Sequence, residues 1–468
     1  MEGLEVSIIP YRSAIETDSA GRIDSSFFEK RFIEVRKLST AWERLETHAK
    51  AIVCGPFGSN LLNDNYAENG IPMIRPFNLR NCRADLGDIA LLEKSFVTDA
   101  KLKTFPAGTV MFARVGDIGA GVNLYECATI SPNIIAAELW DSVDPYFVGV
   151  FANTHFGISQ LEAGMKVVAQ PTISTDSIRS LRIPPLSSEF QKKIAEIFKQ
   201  AVADRDQGKR LLETTESALL HALSLDTWTP PEALSYVRSS RQAFAAGRFD
   251  AEYFHPAKVQ ALASLRTLSD VCVGDLFDPV RVLWQPTEAV ESQVRNYDLT
   301  DALDPFLDPS KEETSPSEIA STKKRIAAGD LVVSRLRSYL REIAVVLPSE
   351  DGIAAVASTE FIVLRPKQAR TLNIEALLIY LRSRLPQIVF KWSQDGSNHP
   401  RFDESELLNL PVPRALIANQ AFYETAIHQM VSHRQHAARL LDAAKRAVEI
   451  AIEDSEAAAL AYLAQAST

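Results

Sequence analysis

The phrase "AGRIDSSFF" begins at Ala20 and comes back as "AGRFDAEYF" at Ala246, 226 positions later in a chain of 468 residues. A self-match at that spacing restricts the fold to two copies of one unit, because each copy has to bury the same apolar pattern. Three further matches follow. "IRPFNL" at Ile74 pairs with "VRNYDL" at Val294, "FPAGTVMFARVGD" with "IAAGDLVVSRLRS", and "QPTISTDSIRSLRIPPL" with "HPRFDESELLNLPVPRA". The offset stays between 220 and 229 across the series, the drift that small loop insertions produce. In the second of these matches a turn glycine, Gly108 or Gly329, launches five strand-favouring residues that end in an arginine, Arg114 or Arg335.

Each copy closes on a long helical pattern. After "IPPL", Ser188 and Gln191 are spaced as a capping box, which predicts a helix start near Ser188. From there Ile194, Phe198, Ala201, Arg205, Gly208, Leu212, Thr215, Leu219 and Ala222 alternate steps of four and three, a heptad seam. Adding 229 to each position gives Tyr423, Ile427, Met430, Arg434, Ala437, Leu441, Ala444, Val448 and Ala451, the same seam with its one arginine in the same place. So long an apolar seam has little to bury against a compact half-domain, so the two helices are expected to pair with each other as antiparallel rods. The expected contacts are Ile194, Phe198, Leu212, Leu219, Ile427, Met430, Leu441 and Val448. Ile194 to Ala222 spans about 43 Å at ~1.5 Å per residue. Two readers held that far apart suit DNA half-sites about one helical turn, ~34–36 Å, apart.

Composition limits the function classes. Hydrophobic residues at 46% and charged residues at 24% describe a folded globular chain. Neither a signal peptide nor an apolar run of membrane-spanning length is present, so a cytoplasmic location is expected. Cys54, Cys82, Cys127 and Cys272 form no Cys-x-x-Cys pair, which argues against a disulfide framework or a zinc knuckle. The net charge of −10 means that any nucleic-acid contact must come from local basic patches or from a partner.

On this background the chain resembles the specificity subunits of type I restriction-modification enzymes. The resemblance rests on "CGPFGSNLLNDNYAENGIPMIRPFNLR" from Cys54, "GTVMFARVGDIGAG" from Gly108, "VAQPTIST" before "LRIPPL", and the long helix after each repeat. It implies an α+β, pseudo-twofold fold: two globular α/β target-recognition domains separated by two long antiparallel coiled-coil helices. The expected boundaries are 1–186 for the first domain, 187–224 for the first spacer helix, 225–415 for the second domain with its leading connector, and 416–468 for the second helix and tail. It further implies a bipartite double-stranded DNA site, docked DNA methyltransferase subunits carrying the S-adenosylmethionine, and a translocating restriction subunit that can join them. No cofactor is expected on this chain. The second copy departs from the pattern, with "RVLWQ" at 281–285 where the first has "GPFGS", and "RLRSYLR" for "RVGDIG", so the two domains should read different half-sites.

Candidate DNA contacts follow from residue chemistry. Arg114 stands before Gly116, Asp117, Gly119 and Gly121, which let backbone approach a groove wall. Arginine suits guanine O6 and N7, or a phosphate fork. In the second copy Lys323, Lys324, Arg325, Arg335, Arg337 and Arg341 face only Asp330 in the local sequence, with Ser338 and Tyr339 among them. "GPFGS" offers Gly55, Phe57, Gly58 and Ser59 as a backbone phosphate holder. Arg75 and Asn78, with Arg295 opposite, are polar positions on strand-like segments. Lys166, Gln170, Asn398, His399 and Arg401 fall in turns expected beside the groove.

Catalytic signatures are missing: no Asp/Asn-Pro-Pro-Tyr/Phe, no Gly-x-x-x-x-Gly-Lys-Ser/Thr and no helical His-x-x-x-His. The expectation is therefore a recognition subunit and not an enzyme. The alternative is a pseudo-symmetric scaffold of a phage-defence complex with little sequence reading. His433 and His436 have metal-compatible spacing, but solvated helix histidines are common, and no metal is expected.

Overall fold

The computed structural model describes residues 8–10, 12, 25–56, 66–84, 89–166, 171–367, 372–396 and 399–466. It divides into two compact units: residues 1–205 with 434–468, and residues 206–433.

Unit 1 opens with α1 (Lys30–Ser39), followed by strands β1 (Ala49–Cys54), β2 (Tyr66–Ile74), β3 (Leu79–Arg80), β4 (Arg83–Ala84), β5 (Val110–Ala113), β6 (Ala120–Val122), β7 (Thr129–Ile130) and β8 (Ile134–Leu139). Helices α2 (Pro145–Phe151) and α3 (His155–Ala163), then the short strands β9 (Met165–Lys166) and β10 (Thr172–Ile173), lead to the long helix α4 (Ser188–Ala222). Six strands form a mixed sheet in the order β1-β8-β5-β6-β4-β3, and β2 pairs with β7 in parallel. The centre of that sheet is apolar on both faces, because one side packs on α2 and the other on the β2–β7 layer. Phe112 and Ile135 belong to the first core, Met111 and Ile134 to the second.

Unit 2 repeats this plan. It contains α5 (Pro256–Thr267), β11 (Phe277–Val280), β12 (Val294–Tyr297), β13 (Phe306–Leu307), β14 (Lys323–Ile326), β15 (Leu331–Ser334), β16 (Ile343–Val346), β17 (Ala354–Ser358), β18 (Phe361–Pro366), α6 (Ile374–Arg382) and α7 (Arg384–Lys391). Its main sheet runs β11-β18-β15-β16-β13, and β12 pairs with β17 in parallel. The correspondence reaches single hydrogen bonds. The Asp144 N–H donates to Gln191 Oε1 at 3.0 Å, and 229 positions later the Asn373 N–H donates to Gln420 Oε1 at 2.8 Å. Gly108 and Gly329 both hold positive φ, 87° and 84°, a conformation that favours glycine.

The second long helix, α8 (Gln420–Glu453), precedes α9 (Glu456–Ala466), and the boundary between the units falls inside both α4 and α8. Within unit 1 the pairing is antiparallel: the Ser187 N–H bonds Glu456 Oε1 at 2.6 Å, while Asp204 Oδ2 lies 2.8 Å from His436 Nδ1. Ile194, Phe198 and Ala201 share one core with Leu441, Ala444 and Val448. Within unit 2, Leu219 and partly buried Leu212 share a core with Tyr423, Ile427 and Met430. Each rod also packs on the sheet domain of its unit, Phe198 lying against Tyr146, so pairing and domain packing are not alternatives. Ala222, at the end of the first seam, is exposed.

The helix start is right but its cap is not the one expected. Ser187 Oγ accepts the Phe190 N–H at 3.2 Å, and Gln191 turns away to Asp144 and to the Leu186 carbonyl. Gln191 serves the α2 entrance instead of a capping box with Ser188.

Candidate nucleic-acid interface

In unit 1 the sequence-remote candidates converge on one turn, residues 131–133, between β7 and β8. The Gly55 N–H bonds the Ile134 carbonyl, the Ser131 N–H bonds the Ile74 carbonyl next to Arg75, and the Arg114 N–H bonds the Asn133 carbonyl at 2.9 Å. The Arg114 carbonyl accepts the Ile173 N–H at 2.9 Å, and Lys166 pairs with Thr172, so the 165–173 turn closes beside Arg114. The Arg114 guanidinium is partly exposed and meets Cys54 Sγ at 3.7 Å. Beyond it Gly116 holds φ 82° with open space around it, and Asp117 is exposed.

Three unit 1 candidates serve the fold. A Cβ on Gly55 would lie 2.0 Å from the Ser131 carbonyl oxygen, so this glycine is required where two backbone segments cross. Asn78 is 1% exposed and its Oδ1 accepts the Arg75 N–H, which fixes the turn and leaves the side chain buried. The Arg75 guanidinium stacks on Phe77, 4.3 Å from the ring centroid, and Phe77 is 43% exposed. The reading of "IRPFNL" missed this phenylalanine; a large apolar residue between proline and asparagine in a turn was the signal. Phe57, Gly58, Ser59, Gln170 and Asn398 lie outside the described residues, as does the side chain of Lys166.

Unit 2 has the same hub at 358–360. The Arg335 N–H bonds the Glu360 carbonyl and the Arg335 carbonyl accepts the Phe402 N–H, matching Arg114 with Asn133 and Ile173. Leu336 bridges to Arg401, which brings the 335–341 loop against the 395–401 turn. The side chains then diverge from unit 1. Glu360 receives Arg335 Nε at 3.0 Å and Arg401 through Nε at 2.9 Å and Nη2 at 2.7 Å. Arg401 also donates to the His399 carbonyl. Arg337 and Tyr339 are exposed, Tyr339 to 69%, on a loop whose Arg337 and Arg341 both hold left-handed φ. Ser338 is buried and within reach of Gln394.

The basic excess of the local sequence is offset in space. Lys323 pairs with Asp298, Arg325 with Glu291, Arg335 with Glu360 and Arg341 with Glu216, and Lys324 donates to the Phe361 carbonyl. Arg295 is 5% exposed, with its donors taken by Asp351, Ser349 and the Lys311 carbonyl. Arg295 and Lys323 therefore hold the fold, whereas Arg325, Arg335, Arg341 and Arg401 stay partly exposed within their ion pairs and Arg337 is exposed. Among the described residues Arg337 has no ion-pair partner. The repeated phrase braces this rim from behind: Arg248 pairs with Asp250 and donates to the Gln394 carbonyl, one residue before the 395–401 turn.

Hydrogen bonds from Arg401 and then Arg335 outweigh partial burial and hold the Glu360 carboxyl at about 2. With a free value near ~4.3, the stability this pair of bonds lends is complete above that value and lost as pH falls toward the folded one. Between pH 5 and 8 no Glu360-dependent step is expected in DNA affinity, which a binding titration across that range checks.

Among the described residues no helix is long and apolar enough to cross a membrane, and no group of three His, Cys, Asp or Glu is placed to hold a metal. No family model and no curated protein matches this chain. Among solved structures it is similar to the HsdS subunit from Thermoanaerobacter tengcongensis, 14% identical, covering 88% of this chain and 96% of that one, with a TM-score of 0.29. It is similar too to the type I restriction-modification S subunit from M. genitalium, 14% identical over 86% and 94% of the chains at a TM-score of 0.40. A chain from a structure of type I R-M complex assembly and conformational transition is 15% identical, covering 89% and 96%, at 0.28.

Proposed function

We propose that this chain is the non-catalytic DNA-specificity subunit of a type I restriction-modification complex, or of a related methylation-based defence complex. Its recognition domains, 1–186 and 225–415, each read one half of a split duplex site, and the helices in 187–224 and 416–468 act as spacers that dock methyltransferase subunits. One observation carries this reading. The same hub turn, with the same arginine donating to it and the same return turn beside it, stands at equivalent places on equivalent sheets in both units, yet the exposed side chains differ. A shared scaffold with divergent exposed groups is what two readers of unlike half-sites require. Catalysis and S-adenosylmethionine belong to the partner, and a restriction subunit is a further partner.

The net charge of −10 fits a subunit whose grip on DNA is completed by others. The test combines the full chain with its methyltransferase subunit, supplies random-sequence duplexes and S-adenosylmethionine, and maps methylated adenines by sequencing. A motif of two fixed blocks separated by an unread gap is expected; a continuous motif, or none, overturns the proposal.

A further inference from the structure

Placing the two hubs side by side isolates one coupled difference. At an offset of 227, Asn133 of unit 1 corresponds to Glu360, and at 229, Thr172 corresponds to Arg401. The acid and the second arginine thus occur together in unit 2 and are both lacking in unit 1. Between them stands the arginine common to both units, Arg114 or Arg335, held by the same backbone bonds. Arg114 meets only a cysteine sulfur among the side-chain contacts described for its guanidinium. Arg335 and Arg401 instead share one carboxylate, and each keeps more than a third of its side chain exposed.

A guanidinium has five N–H donors in a rigid fork. Arg335 spends one on Glu360, and Arg401 spends two on Glu360 and one on the His399 carbonyl, so both retain donors. Arginine side chains carry rotamer entropy of about 2 kcal/mol, and two cations side by side repel. A carboxylate between them removes both costs before DNA arrives. Glu360 accepts three N–H donors across its two oxygens, all from these two arginines, so its charge is directed at them.

We infer that Glu360 is a positioning residue that fixes Arg335 and Arg401 as a paired guanidinium reader, giving the second domain a preference for guanine at one or two positions that the first domain lacks. This rests on the DNA-specificity reading above and adds which residues make the half-sites differ. Guanine is the class of ligand because its O6 and N7 accept two parallel donors in the major groove. The exposed Arg337 and Tyr339, on the loop that Leu336 ties to Arg401, lie on the same rim and are suited to backbone contact.

The experiment repeats the methylation mapping with Glu360→Gln, which removes the charge and keeps the shape. It adds Glu360→Asn with Arg401→Thr, which installs the unit 1 side chains, and Asp270→Asn as a control, an exposed acid whose ion-pair partner is Arg414. With Glu360→Gln, preference at one or two guanine positions of one block is expected to fall about 10-fold or more, with the other block unchanged. The double variant should lose the same positions, and the control should lose none. Thermal unfolding of each complex is followed in parallel. The double variant guards against a fold defect, because its side chains already coexist in unit 1. If the wild-type motif is split and neither clamp variant alters it, the inference fails while the DNA-specificity reading stands. Equal loss in both blocks also overturns the inference, since it marks a general defect. A wild-type complex with no split motif overturns both.

Discussion

Glu406→Ala is expected to destabilise unit 2 by about 3–5 kcal/mol, the cost of removing one partner of a buried ion pair. Lys258 is 3% exposed and its ammonium lies 3.1 Å from Glu406 Oε2, while the Tyr253 hydroxyl donates to Oε1 and Ser393 Oγ to Oε2. Burial raises the Glu406 pKa, but Lys258 and these hydroxyls outweigh it and the net direction is down, so the stabilisation is present near neutral pH and lost on acidification. Without Glu406 a cation is left in a nearly closed site. Unit 1 solves the same place without charge: Phe27 stands for Tyr253, Phe32 for Lys258 and Ser177 for Glu406, and Ser177 Oγ bonds the Gly164 carbonyl at 2.9 Å. Lys258→Phe combined with Glu406→Ser should therefore cost far less than Glu406→Ala alone. Urea unfolding, with hydrogen exchange read on peptides from 206–433, separates the two outcomes. Equal losses in the single and double variants would show that the pair contributes more than charge compensation.

This site also shows what the sequence could and could not disclose. The duplication was legible because sheet order and hub hydrogen bonds depend on apolar periodicity and turn glycines, which both copies retain. The end of the repeated phrase keeps an edge-to-face aromatic pair in both units, Phe27 with Phe28 and Tyr253 with Phe254, although the polar solution beside it in one is apolar in the other. The seams were legible for the same reason: a heptad is a local pattern, and its partner carried the same one.

The candidate interface was less legible. A run such as "STKKRIAAGDLVVSRLRSYLR" looks strongly basic because the acids that answer it, Glu216 on α4 and Glu291, Asp298 and Glu360 in loops, lie outside the run and reach it only through tertiary folding. Arg295 and Asn78 were drawn as readers because polar residues on strands can face a groove, and their burial is a tertiary fact. Glu360 escaped notice since one acid after "AST" has no signature of its own. Only its alignment with Asn133, once the repeat offset is known, marks it.

Phe198→Ala is expected to cost unit 1 about 3–5 kcal/mol, the range for emptying a buried aromatic site. Phe198 is fully buried, lies 5.3 Å from the Tyr146 ring and shares a core with the α8 residues Leu441 and Ala444. The bonds of Ser187 to Glu456 and of Asp204 to His436 bring this part of α4 antiparallel to α8, whose small residues Ala444, Ala447 and Ala451 share the core with Phe198. Small residues in that core cannot fill the space a lost ring leaves, so the cavity persists and the penalty stays near the upper end. Phe198→Leu keeps most of the volume and should cost about 1.5 kcal/mol or less. Hydrogen exchange on peptides from 188–205 and 434–453 reads the effect where the two rods meet. Faster exchange confined to the first set would mean that α4 is held by its own sheet domain alone, whereas faster exchange in both is what a shared seam requires.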